Sequence, residues 1–155
     1  MPKLLLTIGI SNSGKSSWAK KYVEENPNTV ELNRDMYRFG YLTSAENWQE
    51  YGQAPCEKRV SEFLIHDFLE AVRFGKDVIL SDTNLSYSTR QKWNMNALRN
   101  GLDIEYVVMQ TAFYDTFSDP SKVRVLPDHV LDKQYHNFTS FLEEGIKDHV
   151  TYTFV

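Results

Sequence analysis

The spacing of apolar residues along this chain changes period several times, and each change marks the edge of an element. Lys3 to Gly9 (KLLLTIG) is nearly continuous in apolar character, the pattern of a strand buried on both faces of a parallel sheet. Lys15 to Glu25 then reads as a helix, closed by Asn26-Pro27-Asn28, and Thr29 to Leu32 as a short second strand. A helical turn is expected from about Asn33 to Gly40, with irregular chain over 41–55. From Cys56 to Phe74, the residues Val60, Phe63, Leu64, Phe68, Ala71 and Val72 recur at three- and four-residue intervals, and Gly75 stands where a helix closes. Asp77 to Asp82 predicts a buried strand, Ser88 to Arg99 a helix ending at Asn100-Gly101, and Asp103 to Gln110 another strand. Pro127 opens a helix running to about Glu144, with Val130, Leu131, Tyr135, Phe138, Phe141 and Leu142 on its apolar side, and 150–155 predicts a last strand at a sheet edge.

Alternation of strand and helix predicts an α/β domain with a parallel sheet, helices on both faces and ligands at the carboxyl ends of the strands. At 155 residues the chain has the size of one domain, with no repeat or Pro/Gly/Ser-rich linker to divide it. Its apolar runs are only a few residues long, which excludes membrane spans, while 9 Phe, 9 Tyr and 3 Trp give bulky material for a core. A single cysteine, Cys56, and the absence of an export signal predict a reducing cytoplasm. The formal net charge is -4, carried as +1 over residues 1–60 and -5 over 61–155. That balance argues against a protein that coats nucleic acid and places anion binding in the first third of the chain.

The first third also holds the clearest chemistry. Gly9-Ile10-Ser11-Asn12-Ser13-Gly14-Lys15-Ser16 has the form G-x-x-x-x-G-K-[ST] between a strand and a helix, the context of a phosphate-binding P-loop. Glycines let backbone N–H groups wrap a phosphate, and the helix start adds partial positive charge. The expected ATP contacts are Gly9, Ser11, Asn12, Ser13, Gly14, Lys15, Ser16 and Ser17, with Lys15 reaching the β and γ phosphates and the Ser16 hydroxyl holding Mg²⁺. Asp82 follows Val78-Ile79-Leu80 and is placed at the same sheet edge, facing the phosphate loop as a Walker B aspartate does and joining Ser16 at the metal; as a bare pattern it also fits a turn or cap carboxylate. The lack of an N-K-x-D motif argues against a GTPase switch.

Asn33-Arg34-Asp35-Met36-Tyr37-Arg38 emerges from the second strand at that edge too. Asp35 and Arg38 lie three apart, so one helical turn puts a carboxylate and a guanidinium on one face. Phosphoryl transfer needs an acceptor hydroxyl aligned on the γ phosphate and a carboxylate to take its proton, the role assigned to Asp35. Arg38 offers a planar fork to a phosphate on the acceptor. Tyr37, Phe39, Tyr41, Trp48 and Tyr51 are candidates to stack on a base, though such aromatics are more often local core.

Together these segments resemble the polynucleotide 5′-hydroxyl kinases of bacteriophage type, the kinase half of the end-healing kinase-phosphatases. The resemblance is carried by residues 5–21 around SNSGKSSWAKK, by LNRDMYR at 32–38, by ILSDTNL at 79–85 and by RVLPDHVLDKQY at 124–135. It implies a P-loop fold with a short basic lid, ATP as donor, Mg²⁺, and transfer to the 5′-OH end of single-stranded DNA or RNA. It also implies a lid cation at the transferring phosphate, best matched by Arg124 with Lys122 second. A phosphatase or ligase of the same repair pathway is expected on a separate chain. Two other readings stay open at this stage: a small-metabolite kinase acting on a nucleoside or sugar, and a nucleotide-binding regulatory module without turnover.

Overall fold

The computed structural model describes residues 2–11, 13–38, 52–110, 128–144 and 150–155. Five strands form one parallel sheet in the order β2-β3-β1-β4-β5, with β1 Lys3–Ile8, β2 Thr29–Leu32, β3 Asp77–Leu80, β4 Asp103–Val108 and β5 Thr151–Phe154. β1 is central, pairing Leu5 with Ile79 of β3 and with Glu105 of β4. The described helices are α1 Lys15–Glu25, α2 Arg34–Tyr37, α3 Gln53–Arg73, α4 Tyr87–Arg99 and α5 Asp128–Glu144.

Side-chain alternation along the strands divides the core in two. Leu4, Leu6 and Ile8 of β1 join Val78, Leu80, Tyr106 and Val108 on one face, where Leu64, Phe68, Trp93, Ala97 and Phe141 from α3, α4 and α5 cover them. Leu5, Ile79, Val107 and Met109 face the other way onto Ala19, Trp18, Tyr22 and Val23 of α1. Both faces are therefore helix-covered, which is why β1 and β3 read as unbroken apolar runs. β5 is the edge strand, paired to β4 from Glu105↔Thr151 to Val108↔Phe154.

Some boundaries move from the expected positions. α3 begins at Gln53, so 53–55 are helical instead of irregular. Pro55 lies in the first turn, where a missing N–H costs nothing because no intrahelical carbonyl awaits it. α2 runs over Arg34–Tyr37 with Arg38 still in helical conformation, the remainder of the expected turn lying outside the described residues, and β3 ends at Leu80, leaving Ser81 and Asp82 in the turn beyond the strand. α4 starts one residue early because Ser86 caps it, its Oγ accepting the Thr89 N–H at 3.2 Å. Asn12, the aromatics Phe39, Tyr41, Trp48 and Tyr51, the lid residues Lys122 and Arg124, and Pro127 lie outside the described residues. Among the described residues no helix is long and apolar enough to cross a membrane.

Candidate active site

Strand order brings the three motifs together. β2, β3 and β1 are neighbours and parallel, so their carboxyl ends deliver the Asn33–Arg38 turn, Asp82 and the phosphate loop side by side.

The loop leaves β1 at Gly9, whose N–H donates to the Thr83 carbonyl at 3.2 Å and so ties it to the β3 turn. A Cβ there would lie 2.7 Å from Ser13 Oγ and 2.9 Å from Met109 Cβ, so only glycine fits. Gly14 sits at φ +94°, the left-handed conformation glycine tolerates, and opens α1. Lys15 is buried and its Nζ donates to the Ile10 carbonyl at 2.5 Å, folding the side chain back over its own loop. Ser11 and Ser13 are buried within the loop, whereas Ser16 and Ser17 at the helix start are exposed. The Ser11 N–H donates to Gln134 Oε1 of α5 at 2.7 Å.

Asp82 is fixed from two directions. Its Oδ1 accepts the Arg34 N–H at 2.9 Å, and its carbonyl accepts the Thr7 hydroxyl at 2.9 Å. The capping geometry is thus present, and the same carboxylate also lines a cavity of about 500 Å³ beside Arg34 and Gln134. Burial raises its pKa above the usual carboxylate value, opposed by the Arg34 N–H and by the positive charges of Arg34 and Arg38. Asn84 completes the turn at φ 48°, a left-handed position asparagine accepts. Its Nδ2 donates to the carbonyls of Thr7, Leu80 and Asp82 at 2.9, 3.1 and 3.1 Å, tying the β1 end to the β3 end.

On the acceptor side Asn33 caps α2, its Oδ1 accepting the Met36 N–H at 2.9 Å, so Asp35 is not the cap. Asp35 and Arg38 meet as their spacing predicts, Nη1 to Oδ1 at 3.0 Å. The remaining geometry depends on Glu57 of α3, which the sequence reading missed. Arg38 donates through Nε and Nη2 to the two Glu57 oxygens, each at 2.8 Å, and Arg34 reaches Glu57 Oε2 at 2.6 Å and Ser61 Oγ at 2.9 Å. Burial alone would raise the pKa of Glu57, but the hydrogen bonds from Arg38 and Arg34 hold it below the usual range. These bonds engage three of the five Arg38 N–H groups.

The i, i+4 repeat of Arg34 and Arg38 was the available sign that a shared counter-ion is needed. Nothing in the local pattern singled out Glu57. Tyr37 is half-buried and packs against the core cluster. Its hydroxyl donates to Asp67 Oδ2 at 2.6 Å, its ring lies parallel to Phe63, and burial with the neighbouring Asp67 raises its pKa.

The Ser16 hydroxyl and the Asp82 carboxylate are hard oxygen donors of the type Mg²⁺ takes while keeping several waters, so the residues fit that ion.

The AAA domain family matches residues 4–113. Over 150 residues the chain is 30% identical to a protein of Autographa californica nuclear polyhedrosis virus assigned as a bifunctional polynucleotide kinase/RNA ligase, covering 88% of this chain and 21% of the viral one. In fold it is similar to a chain of the Pnkp1/Rnl/Hen1 RNA repair complex, with TM-score 0.76 and 20% identity over 92% of this chain and 46% of that one. It is also similar to a gluconokinase from Sinorhizobium meliloti, with TM-score 0.58 and 18% identity over 99% of this chain and 83% of that one. The chain thus spans about a fifth of the viral relative and under half of the repair-complex chain.

Proposed function

This chain belongs to the AAA domain family, and from that premise we propose that it is an ATP-dependent polynucleotide 5′-hydroxyl kinase, moving the γ phosphate of ATP to the 5′-OH end of single-stranded DNA or RNA. One observation carries the reading: Arg38 is bonded to Asp35 and, through its other edge, to Glu57, beside the Asp82 turn and next to the phosphate loop. A carboxylate paired with a planar, multidentate guanidinium suits an acceptor whose hydroxyl lies one sugar away from a phosphate. The viral relative supports the same substrate class.

In this reading the loop amides and Lys15 hold the β and γ phosphates, Lys15 exchanging its Ile10 carbonyl partner for phosphate oxygen. Ser16 and Asp82 would hold Mg²⁺, which would supply charge neutralisation at the phosphates. Asp35 takes the 5′-OH proton as the new O–P bond forms and the bond between the γ phosphorus and the β–γ bridging oxygen breaks, releasing ADP. Arg38 orients the acceptor through its 3′-side phosphate. Arg124, or Lys122 in its place, is the proposed cation at the transferring phosphate, and a phosphatase or ligase is the proposed partner activity.

The test is transfer from γ-labelled ATP to 5′-OH DNA and RNA oligonucleotides. Transfer that drops by about 10² or more in Asp35→Asn supports the assignment; undiminished transfer by that variant removes Asp35 as base. A small acceptor is the second reading, favoured by the modest cavity of about 500 Å³. It requires turnover of a nucleoside or sugar that survives Arg38→Ala.

A further inference from the structure

Gln134 connects two parts of the site that the motifs leave separate. It lies on the face of α5 formed by Val130, Lys133, Gln134 and Asn137, at i, i+3, i+4 and i+7, which lines the cavity with Asp82. Phe141, two turns further along the same side of that helix, and Leu131 beside it are buried in the core, so its rotation is fixed. From this position Gln134 Oε1 accepts the Ser11 N–H at 2.7 Å. That N–H belongs to the loop whose amides surround phosphate, and a carboxamide oxygen is the neutral counterpart of a phosphate oxygen as an acceptor. Lys15 is satisfied by the loop in the same way, through the Ile10 carbonyl.

We propose that Gln134 is a positioning residue that competes with nucleotide for the Ser11 amide, so that ATP binding must displace it and releases its carboxamide toward the cavity. Two groups cannot both accept that N–H at hydrogen-bond distance, so each phosphate bound costs the Gln134 contact. The freed side chain, anchored on a helix whose rotation the core fixes, stays at the wall it shares with Asp82 and Lys133. Filling the donor site thereby changes the hydrogen-bonding groups offered to the acceptor. The proposal rests on reading residues 9–16 as a phosphate loop and is independent of which acceptor the enzyme uses.

The test is calorimetric titration of the full chain with Mg²⁺ and a non-hydrolysable ATP analogue, comparing wild type, Gln134→Ala and Gln134→Glu at pH 8. Removing a neutral competitor should tighten nucleotide binding about two- to tenfold in Gln134→Ala. The charge-assisted bond and like charge in Gln134→Glu should weaken it by about threefold or more. A purely structural role for Gln134 predicts equal or weaker binding in the alanine variant. That result, or glutamate binding as tightly as wild type, overturns the proposal. Loss of oligonucleotide labelling with this affinity pattern intact would count against the acceptor reading alone.

Discussion

Glu57 shows how much a single side chain can govern here. It accepts from Arg34 and Arg38 at once, so both guanidiniums take their orientation from α3 and not from their own short turn. Glu57→Ala is expected to cost about 1–3 kcal/mol of stability. Phosphoryl transfer should fall by about 10², because Arg38 loses its aim. Chemical denaturation and steady-state rates check the two effects separately. The sign of the pH dependence follows from the depressed Glu57 pKa. Its stabilisation is complete above the unfolded value of about 4.3 and is lost as pH falls through the lower folded value. The stability gap between wild type and Glu57→Gln should therefore be constant near neutrality and close in acid. A gap that widened in acid would contradict the ion-pair assignment. At Gly9 the prediction is steric: a methyl group would meet Ser13 Oγ and Met109 Cβ, so Gly9→Ala should weaken ATP binding by about tenfold or more while the sheet still folds.

Among the elements, those with sustained periodicity were legible in the sequence. α3 repeats its apolar residues over five turns, and β1 and β3 are apolar because helices cover both their faces. Phe68 of α3 is fully buried and meets Trp93 edge-on at 5.3 Å, so Phe68→Ala should cost about 3–5 kcal/mol in urea denaturation. The P-loop and the Asp35–Arg38 pair were legible for the same reason, since their geometry lies within a few residues. The rest of the site depends on contacts between distant segments. Glu57 meets Arg38 across 19 positions, Asn84 meets Thr7 across 77 and Gln134 meets Ser11 across 123. No local period encodes such pairs, and only the strand order brings them together. Arg90 belongs with them: it is buried in α4, donates to the Leu85 carbonyl at 2.6 Å and lies 4.8 Å from the Phe141 ring centroid, pinning the β3 turn to α5.

For the molecule as a whole, the sheet gathers a few cations on an otherwise acidic chain of net charge -4. A 5′-OH oligonucleotide would be held by Arg38 and by exposed lysines such as Lys92 and Lys133 at the cavity, and not by a broad basic surface. Each single-strand phosphate neutralised contributes about 0.7 to the salt slope. Oligonucleotide binding should therefore fall with salt at a log–log slope of only about -1 to -2. A slope steeper than about -4 would reveal an extended cationic track. Whether Arg38 reads a phosphate next to the accepting hydroxyl is tested by comparing γ-phosphate transfer to a 5′-OH dinucleotide and to the matching nucleoside, by wild type and by Arg38→Ala. The neighbouring phosphate should raise kcat/KM by about a hundredfold in wild type, and this advantage should disappear in the variant; equal use of the two acceptors by wild type, or an advantage that survives the substitution, would rule out that role for Arg38.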